Sequence, residues 1–268
     1  MRAGAVLAQL GSLRLSWRAW AADVARLVYP TACAGCEAPV DEHAAGAPLC
    51  VVCREKFAPL RVATACPRCA APLPDPEQPC GRCNGAGVRP FRAIARLCVF
   101  DEPVREMVHH LKYHGQWWLA AWLADQLAAK PDVRRLVERA DVIVPVPLHF
   151  WRQWQRGFNQ AQLVAAPLAN SQRKPLCRAL IRIKATAKQS LQDSRAARAR
   201  NLKEAFAIRS DRAMRSLHDK HVLLVDDVMT TGATLRAAAR ALRPAKPASV
   251  SAVVLAAADP KGRDFAVL

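Results

Sequence analysis

Eight of the ten cysteines fall between residues 33 and 83 in four Cys-x-x-Cys pairs: Cys33 and Cys36, Cys50 and Cys53, Cys66 and Cys69, Cys80 and Cys83. Two intervening residues make a turn that lets both thiolates face one ion, and a further pair 10 to 13 residues on completes a tetrahedral set of four. A disulfide framework is the competing reading. It is disfavoured because residues 1 to 29 lack the compact apolar stretch and cleavage site of a secretory leader, and because Cys-x-x-Cys is short for an unstrained disulfide. The spacing therefore predicts two structural zinc ions, as in tandem zinc ribbons. In sequence order, Cys33, Cys36, Cys50 and Cys53 hold one ion and Cys66, Cys69, Cys80 and Cys83 the other; an interleaved pairing uses the same thiolates. Four thiolates leave no open coordination position, so such ions hold a small module together and perform no chemistry. His43 reads as a loop residue, and Cys98 and Cys177, single and in apolar surroundings, read as packing.

A chain of 268 residues with 52% hydrophobic content has room for one full domain beside that module. The expected division is an N-terminal helical segment over 1–30, the double zinc ribbon over 31–88 and a larger domain over 89–268. No stretch reaches the ~18 uninterrupted apolar residues of a membrane span. Forty Lys and Arg against 22 Asp and Glu give a net charge of +18, which favours polyanionic partners such as phosphates, nucleic acid or acidic lipid. An Ala- and Arg-rich composition drawn from a GC-rich genome accounts for the same numbers, so charge does not choose among them.

Past residue 90 the pattern alternates. Strands are predicted at 92–100, 141–146, 180–183, 222–225 and 249–257, with helices at 103–114, 117–130, 158–170 and 234–242. Such alternation implies a mostly parallel sheet with helices on both faces, and ligands in such sheets bind at the carboxyl ends of strands. The loops after Val146 and Val225 are the candidate site.

The second of these carries the chemistry. In Val222-Leu-Leu-Val-Asp-Asp-Val-Met-Thr-Thr-Gly-Ala-Thr234 an apolar strand ends in two carboxylates whose mutual repulsion a ribose diol or a hydrated Mg2+ would relieve. Thr230, Thr231, Gly232, Ala233 and Thr234 then offer hydroxyls and backbone N–H groups at a helix start, a cradle for phosphate. Sugar-binding acids followed by a phosphate cradle describe a ribose 5-phosphate.

This segment closely resembles the PRPP-binding motif of type I phosphoribosyltransferases. The resemblance implies that Asp226 and Asp227 contact the ribose hydroxyls and that Thr230 to Thr234 bind the 5-phosphate, with magnesium accompanying PRPP. Some purine-salvage members carry an aspartate where Thr230 stands, which argues against that subclass here. Val142 to His149 matches the strand and turn that grip pyrophosphate, with His149, Arg152, Arg156 and the Gly157-Phe-Asn-Gln160 that opens the next helix supplying donors and cations. Residues 187–201 resemble the mobile loop that closes over PRPP, where Lys188 or Arg198 would neutralise charge as pyrophosphate leaves. The acceptor-selecting hood would lie within 91–130.

Together, the cysteine pairs after "YPTACAGC", then "LKYHG", "VPVPLH" with "RGFNQAQLVA", "KQSLQDSRAARARNLKEAF" and the acid-pair loop resemble the ComF family of bacterial competence-related proteins from about residue 27 to residue 257. That resemblance implies a type I phosphoribosyltransferase-like domain behind a small Cys-rich double zinc ribbon. It further implies cytoplasmic residence and an association with natural transformation, with single-stranded DNA and the competence helicase machinery as partners. Two functions follow: pentosyl transfer from PRPP, or a non-catalytic DNA-uptake accessory whose PRPP pocket is a sensor. Trp117, Trp118, Trp122, Trp151 and Trp154 lie in or beside basic stretches and could stack bases, although Trp118 and Trp122 at i, i+4 read as one buried helical face. His109, His110 and His114 flank Lys112-Tyr113, which reads as a substrate-side surface.

Overall fold

A computed structural model of the chain describes residues 32–40, 48–62, 64–73, 75, 77–113, 116, 118–183 and 205–258. The helix expected over the first 30 residues, His43, His114, Trp117 and the 187–201 loop with Lys188 and Arg198 lie outside the described residues. In chain order the elements are α1 (Val51–Val62), β1 (Ile94–Val99), α2 (Val104–Tyr113), α3 (Trp118–Ala128), α4 (Pro131–Arg139), β2 (Val142–Pro145), α5 (Phe150–Arg156), α6 (Gln160–Ser171), β3 (Leu180–Arg182), β4 (Phe206–Ile208), α7 (Asp211–Leu217), β5 (His221–Met229), α8 (Ala233–Ala241) and β6 (Ser249–Ala257).

Four of the strands form a parallel sheet in the order β1-β6-β5-β2. Successive side chains of a strand point to opposite faces, so a strand covered on both sides must be apolar throughout. The run Val222 to Val225 obeys this rule. Leu223 and Val225 join a core with α2, α3, α4 and α6, while Val222 and Leu224 join a second core with α7 and α8. Each such side chain contributes roughly 1.5–3 kcal/mol on burial, which fixes both faces. The strand expected near 180 pairs instead with β4 in a separate antiparallel ribbon, Leu180 opposite Ile208.

The two cysteine knuckles straddle the sheet. Cys33, Ala34, Leu49, Cys53 and Phe57 belong to the same core as β1, α2 and α3, and Phe57 meets Trp122 with ring centroids 5.7 Å apart. Gly35 lets the first knuckle pack tightly against Pro103, because a Cβ there would stand 2.7 Å from Cβ of Pro103 and 3.0 Å from Sγ of Cys53. Lys130 donates to the carbonyls of Arg61 and Leu97, holding the end of α1 against β1. The second knuckle has a small core of its own, Cys66, Cys69, Ala71 and Cys80 with Val88 packed against it, while Ala70 joins the core on the α8 side. Among the described residues no helix is long and apolar enough to cross a membrane.

Candidate functional site

The eight thiolates converge in sequence order. Cys33, Cys36, Cys50 and Cys53 form one group and Cys66, Cys69, Cys80 and Cys83 the other, with all sulfurs of a group within 4.8 Å of one another. Sulfur pairs stand 3.7 Å apart at Cys36 and Cys50, 3.7 Å at Cys66 and Cys83, and 3.6 Å at Cys69 and Cys80. A tetrahedron with Zn–S bonds of about 2.3 Å has an edge of about 3.8 Å, so both groups fit zinc. Their charges fit as well. Burial, then neighbouring thiols, push Cys53 well above the ordinary thiol range, and burial dominates the same upward push at Cys69. Cys50, accepting a backbone N–H from Cys53, is lowered to about 7; at Cys80 burial opposes ionisation, but N–H groups of Arg82 and Cys83 bring the thiol to about 7. Thiols crowded in this way ionise together only around a cation.

The second site lies at the carboxyl end of the sheet. β2 stops at Pro145, paired with Val225, whereas β5 runs four residues further beside β6, to Met229 opposite Ala257. Asp226 and Asp227 therefore stand on the strand itself, one residue and two beyond its last pairing with β2. Loss of that neighbour opens a cleft of about 220 Å³ lined by Lys112, Arg156, Gln160, Arg182, Asp226, Asp227 and Thr234, among others. Alternation turns Asp227 to the side that α2 covers, and there Lys112 Nζ meets its carboxylate at 2.8 Å.

The two acids are in different states. Burial, then the neighbouring Asp227 charge, push Asp226 up to about 8. Burial acts against ionisation of Asp227 too, but the Lys112 ammonium, the Val228 N–H and Arg156 outweigh it and hold the carboxyl below its usual range. Near neutral pH the cleft thus carries one protonated acid and one carboxylate paired with a lysine.

Beyond the acids the chain turns through Thr230, Thr231, Gly232 and Ala233 into α8, where Thr234 lines the cleft. Gly232 caps the helix at φ 73°, a left-handed conformation that glycine adopts without strain. Thr231 Oγ1 accepts from the Ala233 N–H at 3.3 Å. Two guanidiniums hold this turn from outside. Arg82, between the second knuckle's last two cysteines, donates to the Thr230 carbonyl at 2.8 Å, and Arg236 donates to the Thr231 carbonyl at 3.0 Å.

The opposite wall comes from the loop after β2. Its turn runs into α5, capped by His149, whose Nδ1 accepts from the Trp151 N–H at 3.4 Å. His149 is thus engaged in capping; α5 includes the backbone of Arg152, whose side chain lies outside the described atoms. Arg156 lines the cleft and lies 4.6 Å over the Tyr113 ring, which in turn stacks on His109 at 4.8 Å. Asn159 donates to the Val146 carbonyl and accepts from the Ala161 N–H, tying the loop to the start of α6. Gln160, 1% exposed, lines the cleft with both its amide oxygen and amide nitrogen unpartnered among the described residues. A buried amide in that state calls for a partner, and the cleft gives a ligand or water access to it.

Sequence reasoning pointed to Asp226, Asp227, Thr234, Arg156, Gln160 and the Lys112-Tyr113 surface, all of which line this cleft, and did not find Arg182 in its wall or Arg82 behind the turn, which no local motif marks. The tryptophans divide. Trp122 packs on the core, whereas Trp118 is 41% exposed and Trp151 and Trp154 are 59% and 71% exposed. The Trp118 and Trp122 pair is not one buried face.

Sequence comparison places these features in a family. The phosphoribosyl transferase domain profile matches residues 156–265, and the double zinc ribbon domain profile matches residues 24–84. The chain is 34% identical over 226 residues to the DNA utilization protein YhgH of Salmonella typhimurium, covering 81% of this chain and 92% of that protein. With Competence protein F of Haemophilus influenzae it shares 31% identity over 208 residues, 75% of this chain and 86% of the relative. The chain belongs to the ComF family. Competence protein ComFC of Bacillus subtilis is 29% identical over 214 residues, 77% of this ComF protein and 83% of its own length. A phosphoribosyltransferase-like parallel sheet preceded by two four-cysteine centres is therefore the architecture of this ComF chain.

Proposed function

We propose that the cleft binds the 5-phosphoribosyl group of PRPP and that this ComF protein acts on, or responds to, PRPP during the handling of DNA in natural transformation. The observation that carries the reading is the placement of Asp226 and Asp227 at an overhanging strand end, joined through Gly232 to the start of α8 and faced by Gln160, whose amide has no partner among the described residues. Asp226 and Asp227 hold the ribose hydroxyls, and Thr230 to Thr234 with the α8 N-terminus hold the 5-phosphate. Arg156 and Gln160 face the pyrophosphate, and by resemblance to the family's loop Lys188 or Arg198 would neutralise charge as it leaves. Asp226 and Asp227 are the residues that would hold a magnesium ion arriving with PRPP, and such an ion would supply neutralising charge for the leaving pyrophosphate.

Transfer would form a bond from an acceptor's nucleophilic atom to C1 of the ribose as the C1–O bond breaks and its electron pair leaves with pyrophosphate, and the acids would stabilise the positive charge that builds on the sugar. The test is pyrophosphate release from PRPP across a panel of bases and amines. Release with one acceptor class establishes transfer. Silence across the panel together with PRPP binding establishes the sensor, and absence of PRPP binding removes the reading.

The DNA element rests on the names of the relatives and on one surface. Trp151 and Trp154 stand edge to face at 6.1 Å on α5, exposed, on the helix that ends with Arg156. Base stacking on such an aromatic is worth ~1–3 kcal/mol. Trp154→Ala is expected to weaken single-stranded DNA binding roughly fivefold or more while PRPP affinity stays within twofold, measured by anisotropy and calorimetry. Wild-type affinity should also fall steeply with added salt.

A further inference from the structure

Arg82 is part of the second cysteine knuckle and of the turn beyond β5 at once. Its backbone N–H donates to the sulfur of Cys80, and its Nη2 donates to the Thr230 carbonyl 148 residues away. Its Nη1 is buried and has no partner among the described residues. Arg236 reaches the next carbonyl, Thr231, and is held below the usual arginine range by burial first and then by the charges of Arg82 and Arg240. Two guanidiniums thus bind consecutive carbonyls of one turn, with a third cation near them.

A trans peptide unit carries its C=O and N–H on opposite sides. Fixing the Thr230 carbonyl toward Arg82 therefore turns the Thr231 N–H away from it, and fixing the Thr231 carbonyl toward Arg236 does the same for the Gly232 N–H. Because Arg82 and Arg236 are neighbours, two successive N–H groups turned away from them face one common side, an arrangement that suits an anion. The crowded guanidiniums favour the same occupant, since a phosphate dianion offsets their mutual repulsion.

We infer that Arg82 is a positioning residue for the 5-phosphate, so that the second zinc site sets the phosphate turn and is a working part of the ligand site. This rests on the phosphoribosyl reading above. The zinc-bound knuckle fixes the Arg82 backbone, and the Arg82 side chain fixes the turn.

The test compares affinities for ribose 5-phosphate and for inorganic pyrophosphate in wild type, Arg82→Gln and Arg82→Lys, with zinc content and melting temperature measured on each protein. Arg82→Gln is expected to retain two zinc ions, to lose about tenfold in ribose 5-phosphate affinity for one charge-assisted hydrogen bond, and to leave pyrophosphate affinity within twofold. Arg82→Lys should recover part of the loss. Wild type that binds ribose 5-phosphate alongside an Arg82→Gln protein that binds it equally well overturns the inference alone. Parallel loss of both ligands with a lowered melting temperature also overturns it, assigning Arg82 a structural role. Wild type that binds neither ligand overturns the site reading, and the inference with it.

Discussion

Cys53→Ser will lower the melting temperature of the whole chain by roughly 10 °C or more, whereas Cys69→Ser will leave the main transition within a few degrees of wild type. The asymmetry follows from packing. Cys33, Cys53 and Leu49 share one core with β1, α2 and α3, and Gly35 sits against Pro103 without room for a methyl group, so the first knuckle cannot loosen without opening that core. Structural zinc contributes on the order of 10 kcal/mol in small sites, and here part of that energy reaches the sheet. The second knuckle closes its own small cluster and reaches the rest of the domain through Ala70, Val88 and Arg82, so its loss should disturb the phosphate turn while leaving most of the sheet packed. Each variant should retain one zinc ion, and a strong chelator should reproduce the Cys53→Ser transition in the wild type. Calorimetric melting with zinc quantitation checks this. Equal melting shifts for the two variants would show that the knuckles are energetically equivalent.

The second large effect concerns the acid pair. Asp226 is raised to about 8, so between the unfolded carboxylate value and that pH the native state holds a proton that the unfolded chain has released. The stability this group contributes is complete below pH ~4 and is lost as pH rises through about 8. Asp226→Asn removes that loss and should stabilise the ligand-free protein by about 1–2 kcal/mol at pH 8, seen as a higher melting temperature. Asp227 behaves in the opposite sense. Its depressed carboxyl contributes stability above the unfolded value that disappears only as pH falls through its own lower one, and Asp227→Asn leaves Lys112 unpaired in a half-buried site.

Ligand binding should report the same proton. If Asp226 engages the proposed PRPP and magnesium complex as a carboxylate, PRPP affinity should rise about tenfold per pH unit below pH 8 and level off above it. Close to one proton should be released per PRPP bound at pH 7, read from titration heats in buffers of different ionisation enthalpy. An affinity independent of pH from 7 to 9 would mean that Asp226 meets the ribose as a neutral acid.

Much of this arrangement was legible in the sequence because the decisive signals are local. Cys-x-x-Cys spacing reports a metal knuckle directly, and Val222 to Thr234 compresses strand, acids, left-handed glycine and helix start into thirteen residues. The structure also chose between sequential and interleaved thiolate pairing, which spacing leaves open. The end of β5 was misjudged at Val225 because apolarity stops there, while pairing with β6 continues to Met229. α4 escaped notice because its nine residues are mostly charged and bury Val133 and Val137 alone. α5 was not predicted because its seven residues carry four basic or amide side chains and two exposed tryptophans and so show no buried stripe. Contacts such as Arg82 to Thr230 and Lys112 to Asp227 join residues more than a hundred positions apart, and only the fold brings them together.

The most direct measurement is a calorimetric titration of PRPP with Mg2+ into the wild-type protein and into Asp227→Asn, both with two zinc ions bound. The site described here requires saturable one-to-one binding to the wild type and at least a hundredfold weaker binding to the variant, about 3 kcal/mol for removing one buried charged contact. No heat from the wild type, or equal affinity in the two proteins, would mean that the overhanging end of β5 is not where a phosphoribosyl ligand sits.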